Sequence, residues 1–441
     1  MGIHGLSRLI ADITPEAIKD IDLKSLFGRR IAIDASMCLY QFLIAIRSSE
    51  YAMTNDQGET TSHLVGMFYR TIKFLENGIK PVYVFDGKAP QLKCGELEKR
   101  TERRTEAKDK LEDAKETQNI EEIQKLNKRL VKVTRKHSED CKKLLQLLGI
   151  PIIQAPSEAE AQCAQLCKEN LVYAVATEDM DALTFGCPRL IRNLTSSQNE
   201  KLKEFQIERV LDGLGIDQNQ FIDLSILMGC DYCDNIKGIG GKKGLELIKK
   251  FKNIEGILKN KFGIEEFVDV EIEYNNRKIK EEIKDEIVED QTIEAEAVDT
   301  NRGNDSLDQD EMAEEEENDA DLDGTNGRKK PVPMNWPFKG ARMLFQEPLV
   351  MVNKITETDL KMKDIDEEGI VKFLCEENGF SEDRVRKSLK RAAESKSKSS
   401  QTRIDSFFKL APSNKSPIKR QTEDTKSKKS STGAKRGRRP R

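Results

Sequence analysis

Seven acidic side chains invite a chemical reading as a set: Asp34, Asp86, Glu158, Glu160, Asp179, Asp181 and Asp231. Hydrolysing a phosphodiester at neutral pH requires a strong nucleophile and neutralisation of charge on the leaving oxygen, and two magnesium ions about 3.5 to 4 Å apart supply both. Magnesium is a hard cation that binds carboxylate oxygens. Singly, each acid has an ordinary structural explanation. Ser157 could cap a helix with Glu160 closing a capping box, Asp179 and Asp181 could cap the helix after a strand, and Asp231 could sit in a turn. The chemistry rests on the set, because seven carboxylates in one crevice repel one another unless cations lie between them. His4, His63 and His137 form no triad with a Ser or Cys, so nucleophilic side-chain catalysis is not supported.

The elements that must position these acids are legible in outline. Three β-branched runs, 30–33, 81–85 and 171–176, read as buried strands separated by helical pattern. Such alternation predicts an α/β fold with a central, mostly parallel sheet flanked by helices. Each run leads into acid: Asp34, Asp86, and Glu178-Asp179-Met180-Asp181. Ligands of open α/β sheets bind beyond the carboxyl ends of the strands, so these acids are expected to converge there.

From 92 to 146 the chain is densely charged and lacks Gly and Pro after Gly95, which reads as long exposed helices. Lys93, Arg100 and Arg104 fall within about 20° of one helical face. A solvated charged face is the ordinary reading; nearness to Asp86 favours a role on phosphate. Residues 217–228 read as a helix, and Gly238-Ile239-Gly240-Gly241-Lys242-Lys243-Gly244 as a tight turn opening another. That turn is neither a Rossmann fingerprint nor a P-loop, but its N–H groups and lysines suit a duplex backbone read without regard to sequence. Tyr40, among Leu39, Phe42, Leu43 and Ile46, is by default a core residue, with base stacking as the alternative.

A chain of 441 residues can bury one large core or two smaller ones. Its net charge of -4 hides segregation: residues 281–323 carry 20 Asp or Glu against Lys284 and Arg302, while 409–441 carry 12 Lys or Arg against Glu423 and Asp424. The acidic stretch is expected to be disordered and the end to be a flexible basic tail. Nine scattered cysteines without a secretory leader indicate a reduced, intracellular protein; Cys230 and Cys233 form the only close pair of the zinc-knuckle sort, and no second Cys-x-x-Cys or His pair lies near to complete a zinc site. No apolar run approaches the roughly 20 residues of a membrane span, so the protein is expected to be soluble. Within the polar tail, Gln401-Thr402-Arg403-Ile404-Asp405-Ser406-Phe407-Phe408 reads as a docking peptide, and 435–439 as a nuclear import signal or an electrostatic tether.

Taken in order, Met1-Gly2-Ile3-His4-Gly5-Leu6, Ile33-Asp34-Ala35-Ser36, Val84-Phe85-Asp86-Gly87-Lys88, Pro156-Ser157-Glu158-Ala159-Glu160-Ala161, Thr177-Glu178-Asp179-Met180-Asp181 and Gly229-Cys230-Asp231-Tyr232-Cys233 closely resemble the eukaryotic flap endonucleases of the XPG nuclease family. The likeness covers residues 1–260 and 330–408. It implies a PIN-like 5′-nuclease fold with a helical arch, a helix-hairpin-helix and a disordered C-terminal tail. Asp34, Asp86, Glu158 and Glu160 would hold one metal, and Asp179, Asp181 and Asp231 the other. The ions would be Mg2+, with Mn2+ able to substitute. Lys93 and Arg100 would stabilise charge on the scissile phosphate in the transition state. The helices after Lys93 would form the arch that a 5′ single strand threads, with Tyr40 stacked beside the unpaired nucleotide.

By the same resemblance Arg47, Arg70, Gly229, Glu158 and Asp231 face DNA, with Arg103, Arg104, Lys132, Gly240, Lys242 and Lys243 completing the set. The 238–244 turn would grip the duplex and bind K+ through backbone carbonyls. Gln401, Ile404, Phe407 and Phe408 would dock on the trimeric sliding clamp, proliferating cell nuclear antigen. The implied segments are 1–104 and 122–262 for the nuclease, 105–121 for the arch linker, 263–328 for the acidic insert, 329–393 for a C-terminal helical region and 394–441 for the tail. The implied activity is monomeric 5′ flap endonuclease with 5′-3′ exonuclease action on branched DNA, in Okazaki-fragment maturation and long-patch base excision repair. The implied location is the nucleus, nucleolus and nucleoplasm alike, with the mitochondrion second. Rival readings are a sibling 5′ exonuclease or bubble nuclease, a non-catalytic DNA-binding clamp adaptor, and a ribonuclease on a similar scaffold. Gly241 replaces a usual Pro and Gly244 a usual Ala, which predicts a looser turn. Gln57 replaces a usual acid, and the acidic insert has no counterpart.

Overall fold

The β-branched runs do form strands, and their side chains alternate between two cores. The computed structural model describes residues 2–47, 61–117, 119–194, 201–264, 332 and 336–398. β1 (Ile18–Ile21), β2 (Arg30–Asp34), β3 (Lys80–Phe85), β4 (Ile152–Gln154), β5 (Ala174–Ala176), β6 (Arg189–Arg192) and β7 (Leu202–Gln206) make one sheet in the order β1-β7-β6-β5-β2-β3-β4. The five strands from β6 to β4 are mutually parallel; β7 pairs antiparallel with β6, and β1 antiparallel with β7. The expected run 171–176 contributes only its last three residues to β5.

In β2, β3 and β5, Ala32, Val82, Val84 and Val175 point into one buried cluster, while Ile31, Ile33, Tyr83, Phe85, Ala174 and Ala176 point into the other. A sheet covered on both faces explains why these strands read as continuous apolar runs. Helices α1 (Leu6–Ile13) and α7 (Ala159–Lys168) lie over the first face with α8 (Asp181–Thr184), α9 (Ile207–Leu214) and the helices of 218–262. α2 (Ala35–Arg47), α3 (Ser62–Glu76) and α6 (Arg135–Leu147) cover the second, with Glu382–Lys398. The chain runs from β2 outward through β3 to β4, then returns to β5 on the other side of β2. That reversal places a crevice beyond the carboxyl ends of β2 and β5.

α10 (Gln218–Met228) is buried from Phe221 onward. Its start is fixed as sequence suggests: Asp217 accepts from the Gln220 N–H at 2.9 Å while the Gln220 side chain accepts from the Asp217 N–H at 3.2 Å. α11 (Gly241–Phe251) and α12 (Ile254–Phe262) follow. A Cβ added at Gly241 would lie 3.0 Å from Met228 and 3.2 Å from Leu9, so the missing side chain lets α11 close on α10 and α1.

α4 (Cys94–Glu116) and α5 (Ile120–Arg129) stand apart in their packing. Ala107, Leu111 and Ala114 of α4, spaced to share a face, bury against Leu126 of α5 in a cluster of their own. The expected linker 105–121 is thus the second half of α4, the turn, and the start of α5. Of the 263–328 segment only 263 and 264 are described, and of the 394–441 tail only 394–398. Gln401, Ile404, Phe407 and Phe408 therefore lie outside the described residues, as does Gln57. Among the described residues no helix is long and apolar enough to cross a membrane.

Candidate active site

β2 ends on Asp34, whose buried carboxylate accepts from the Met37 N–H at 3.1 Å and so turns the chain into α2. β3 leads to Asp86, which accepts from the Ala159 N–H at 2.8 Å. The first turn of α7 is therefore capped from a neighbouring strand. The capping box expected within 157–160 is absent: Glu158 is the N-cap residue without a side-chain cap, and the Ser157 hydroxyl donates to the Lys88 carbonyl at 3.0 Å. Glu158 and Glu160 are instead buried at that helix start, 5% and 3% exposed.

After β5, Asp179 accepts from the Asp181 N–H at 2.9 Å, and Asp181 accepts from the Ile3 N–H at 3.0 Å. The amino-terminal segment is thereby drawn to the acids. Gly2 has φ +71°, and a Cβ there would lie 2.0 Å from Asp181 Oδ1 and 2.1 Å from Asp179 Oδ1. Glu178 turns the other way, accepting from Arg192 at 3.1 Å and from the Asn193 N–H at 2.7 Å, so it does not join the crevice. Asp231 sits in the turn after α10, entered through Gly229 at φ +96°.

Two cations close the arrangement. Lys93 is not on the exposed helix face its spacing suggested. It lies in a short 3-10 turn ahead of α4, only 5% exposed, with its ammonium 2.5 Å from Glu158 and 2.9 Å from Asp231. Arg100 donates to both oxygens of Asp231 at 3.2 Å and to Glu96 at 3.1 Å. Arg104 departs from this pair, since its guanidinium donates to the Arg100 carbonyl at 3.2 Å and to Thr101. The Tyr232 hydroxyl donates to Glu158 in a short hydrogen bond, a contact that sequence reasoning missed.

Burial, then the charges of Asp179, Asp231 and Cys230, push the Asp181 carboxyl well above the usual carboxylate range, with Lys93 opposing. Among the described residues no three acidic, His or Cys side chains already stand in ion-cage geometry. Lys93 and Arg100 supply the positive charge there instead. The donor set is nonetheless entirely hard oxygen, and five of its carboxylate residues, Asp34, Glu158, Glu160, Asp179 and Asp181, are at most 5% exposed. Like charges so concentrated and so desolvated fit divalent cations.

The remaining expected residues lie farther out. Tyr40 is 6% exposed and packs in the second core, which favours the core reading over stacking. Arg70 is half-buried against Phe42 and donates to the Leu194 carbonyl at 3.3 Å. Arg103 and Lys132 are exposed on the α4–α6 segment. Gly240 caps α11; Lys242 and Lys243 extend into solvent, Lys242 pairing with Asp12 at 3.2 Å. Arg47 belongs to α2, but its side chain is outside the described residues.

A mostly parallel α/β sheet with a carboxylate crevice at its switch point, entered by the Lys93 ammonium and by Arg100 of α4, defines the class: a metal-dependent nuclease. The XPG N-terminal domain family matches residues 1–107 and the XPG I-region residues 149–231. Flap endonuclease 1-B of Xenopus laevis is 48% identical, over 98% of this chain and 97% of its own. Flap endonuclease 1 of Aedes aegypti is 47% identical over 100% of both chains. Among solved structures, flap endonuclease-1 from Methanococcus jannaschii superimposes with a TM-score of 0.56 at 31% identity, covering 88% of this chain and 98% of that one. The catalytic core of Rad2 in complex with a DNA substrate gives 0.57 at 25% identity, covering 89% and 100%. The chain belongs to the flap endonuclease group of the XPG nuclease family.

Proposed function

We propose that this enzyme is a structure-specific 5′ flap endonuclease with 5′-3′ exonuclease action on branched DNA, working in Okazaki-fragment maturation and long-patch base excision repair in the nucleus. The observation that carries the reading is the Lys93 ammonium held inside the acid crevice between Glu158 and Asp231, with Arg100 beside it. Asp34, Asp86, Glu158 and Glu160 would hold one Mg2+, and Asp179, Asp181 and Asp231 a second. When bound, these ions activate water and neutralise the leaving oxygen. The chain's own part is placement. The Asp86 bond to Ala159 and the Ile3 bond to Asp181 fix carboxylates contributed by distant segments. Lys93 and Arg100, once the acids are neutralised, are free to exchange carboxylate for the scissile phosphate, where charge builds in the transition state.

Outlying groups fit a duplex tracked by its backbone: the Gly240 helix start with Lys242 and Lys243, and Arg103, Arg104 and Lys132 beside the arch. K+ at the 238–244 turn and clamp docking through 401–408 belong to the same proposal. Asp181→Ala is expected to keep binding to a double-flap DNA while losing cleavage in magnesium; cleavage at the normal rate would refute these roles. Blocking the 5′ end of the same substrate reads threading separately.

A further inference from the structure

The turn that carries Asp231 is closed by two cysteines that the proposed mechanism does not use. Cys230 and Cys233 face each other as an isolated antiparallel bridge: the Cys230 N–H donates to the Cys233 carbonyl at 3.1 Å, and the Cys233 N–H donates back at 3.3 Å. A mutually hydrogen-bonded antiparallel pair sets its Cα atoms about 5.5 Å apart, within the usual disulfide span of roughly 4.4 to 6.8 Å. Their sulfurs are already 3.7 Å apart and in contact. Opposed Cβ atoms in such a hydrogen-bonded pair stand about 5.5 Å apart, beyond the roughly 3.5 to 4.5 Å of a disulfide, so closing the gap to a bond of about 2.05 Å also draws the backbone of the turn inward.

We infer that Cys230 and Cys233 are a modification site, a dithiol that a peroxide converts to a disulfide, and that this closure reversibly lowers nuclease activity. In the step, one sulfur attacks the peroxide O–O bond, becomes the sulfenic acid and releases water after proton transfer. The second sulfur then displaces the sulfenic hydroxyl, forming the S–S bond and releasing a second water. Two thiols lose two electrons and two protons, and hydrogen peroxide is reduced to two waters. Burial keeps Cys230 protonated, which slows the first attack without barring it.

The two residues inside the ring are Asp231, which holds Lys93 and Arg100, and Tyr232, which donates to Glu158. Drawing the sulfurs together pulls on both neighbours of this segment, and a displacement on the order of 1 Å at a catalytic group costs up to about a hundredfold in rate. The turn is also tied down from outside, by Trp336 donating to the Asp234 carbonyl at 2.7 Å and by Lys99 bonded to Asp234 at 2.5 Å. Strain introduced at the cysteines therefore falls on Asp231 instead of dissipating along the loop.

The effect on rate rests on the nuclease reading above, whereas formation of the bond does not, and the experiment separates them. The full-length protein is treated with hydrogen peroxide, alkylated and digested, and peptide masses are read beside magnesium-dependent cleavage of a flap DNA. Expected are an internal Cys230–Cys233 disulfide, a loss of cleavage of about tenfold or more, and recovery of both by dithiothreitol. Cys230→Ser should cleave at the untreated rate and resist peroxide. Absence of the linked peptide, full activity in protein that carries it, or equal peroxide sensitivity in Cys230→Ser each overturns the proposal. A reduced protein that forms the disulfide yet never cleaves DNA counts against the nuclease reading and the effect on rate, and leaves the dithiol assignment standing.

Discussion

Lys93 neutralises two carboxylates in the resting protein, and the same ammonium is the cation best placed to meet a phosphate. Lys93→Ala should therefore have two signatures. Single-turnover cleavage in saturating magnesium is expected to fall about 10² to 10³-fold, the size typical of losing one preorganised stabiliser, while flap affinity changes severalfold at most. Without magnesium, the buried Glu158 carboxylate would lose the ammonium beside it while Arg100 stays on Asp231, so the melting temperature should drop and magnesium should restore it. An unaltered single-turnover rate would remove Lys93 from catalysis. Asp231 stands in the turn after α10, whereas the other six of the seven acids were legible as candidates because each follows an apolar strand or opens a helix. Gly2, Ile3 and Tyr232 were not, because their partners lie 178 residues away in the case of Ile3 and 74 in the case of Tyr232. No local pattern encodes such a contact.

Among the elements, α3 and α6 meet at a titratable seam. His63 of α3 is 2% exposed, stacks on His137 of α6 with ring centres 4.6 Å apart, and lies 3.4 Å from the partly exposed Asp140 carboxylate. Burial, reinforced by Lys136, lowers the His63 pKa from 6.5 to about 4. The folded pKa being the lower one, the unfolded chain takes up the proton first as acid is added. Stability is then complete above pH 6.5, declines toward pH 4 and levels off below, a span of about 3 kcal/mol at most. Urea midpoints for wild type and His63→Leu should run parallel above pH 6.5 and change their difference only below it. A constant difference across the range would dismiss His63 as the source.

A second junction joins the helix Phe338–Gln346 to α10 and α12. Arg342 donates to Asp223 at 2.6 and 2.9 Å and to Glu255 at 2.7 and 2.9 Å. Asp223, 4% exposed, carries most of the dependence, since the Glu255 side chain is 42% exposed. Arg342→Leu should cost about 3 kcal/mol in urea unfolding by stranding that acid, and adding Asp223→Asn should return part of it; equal losses in the single and double variants would exclude this coupling. The central strands were readable from sequence as continuous apolar runs, β2 and β3 among them, and α10 was readable over 217–228. The edges were not. β4 has three residues, and β7 reads Leu-Lys-Glu-Phe-Gln, too short or too charged to announce a strand without its neighbours.

At the scale of the whole molecule, charge is segregated along the sequence, acidic over 281–323 and basic over 409–441. The Gln401–Phe408 peptide places Ile404, Phe407 and Phe408 in a polar stretch beyond the last described helix. Phe407→Ala combined with Phe408→Ala should abolish stimulation by the sliding clamp and leave basal flap cleavage intact; undiminished clamp binding by the double variant would count against a docking role. The two cores on either face of the sheet place β2 and β5 centrally, so distant mutations that loosen either core should lower activity through the placement of Asp34 and Asp179.

Gly2 leaves no room for a methyl group beside Asp179 and Asp181. The first residues of the polypeptide are thus part of the wall of the catalytic chamber. Any bulk added beside Gly2, a side chain or a fused peptide alike, would press on those carboxylates, so recombinant protein intended for kinetic work is best left unaltered there.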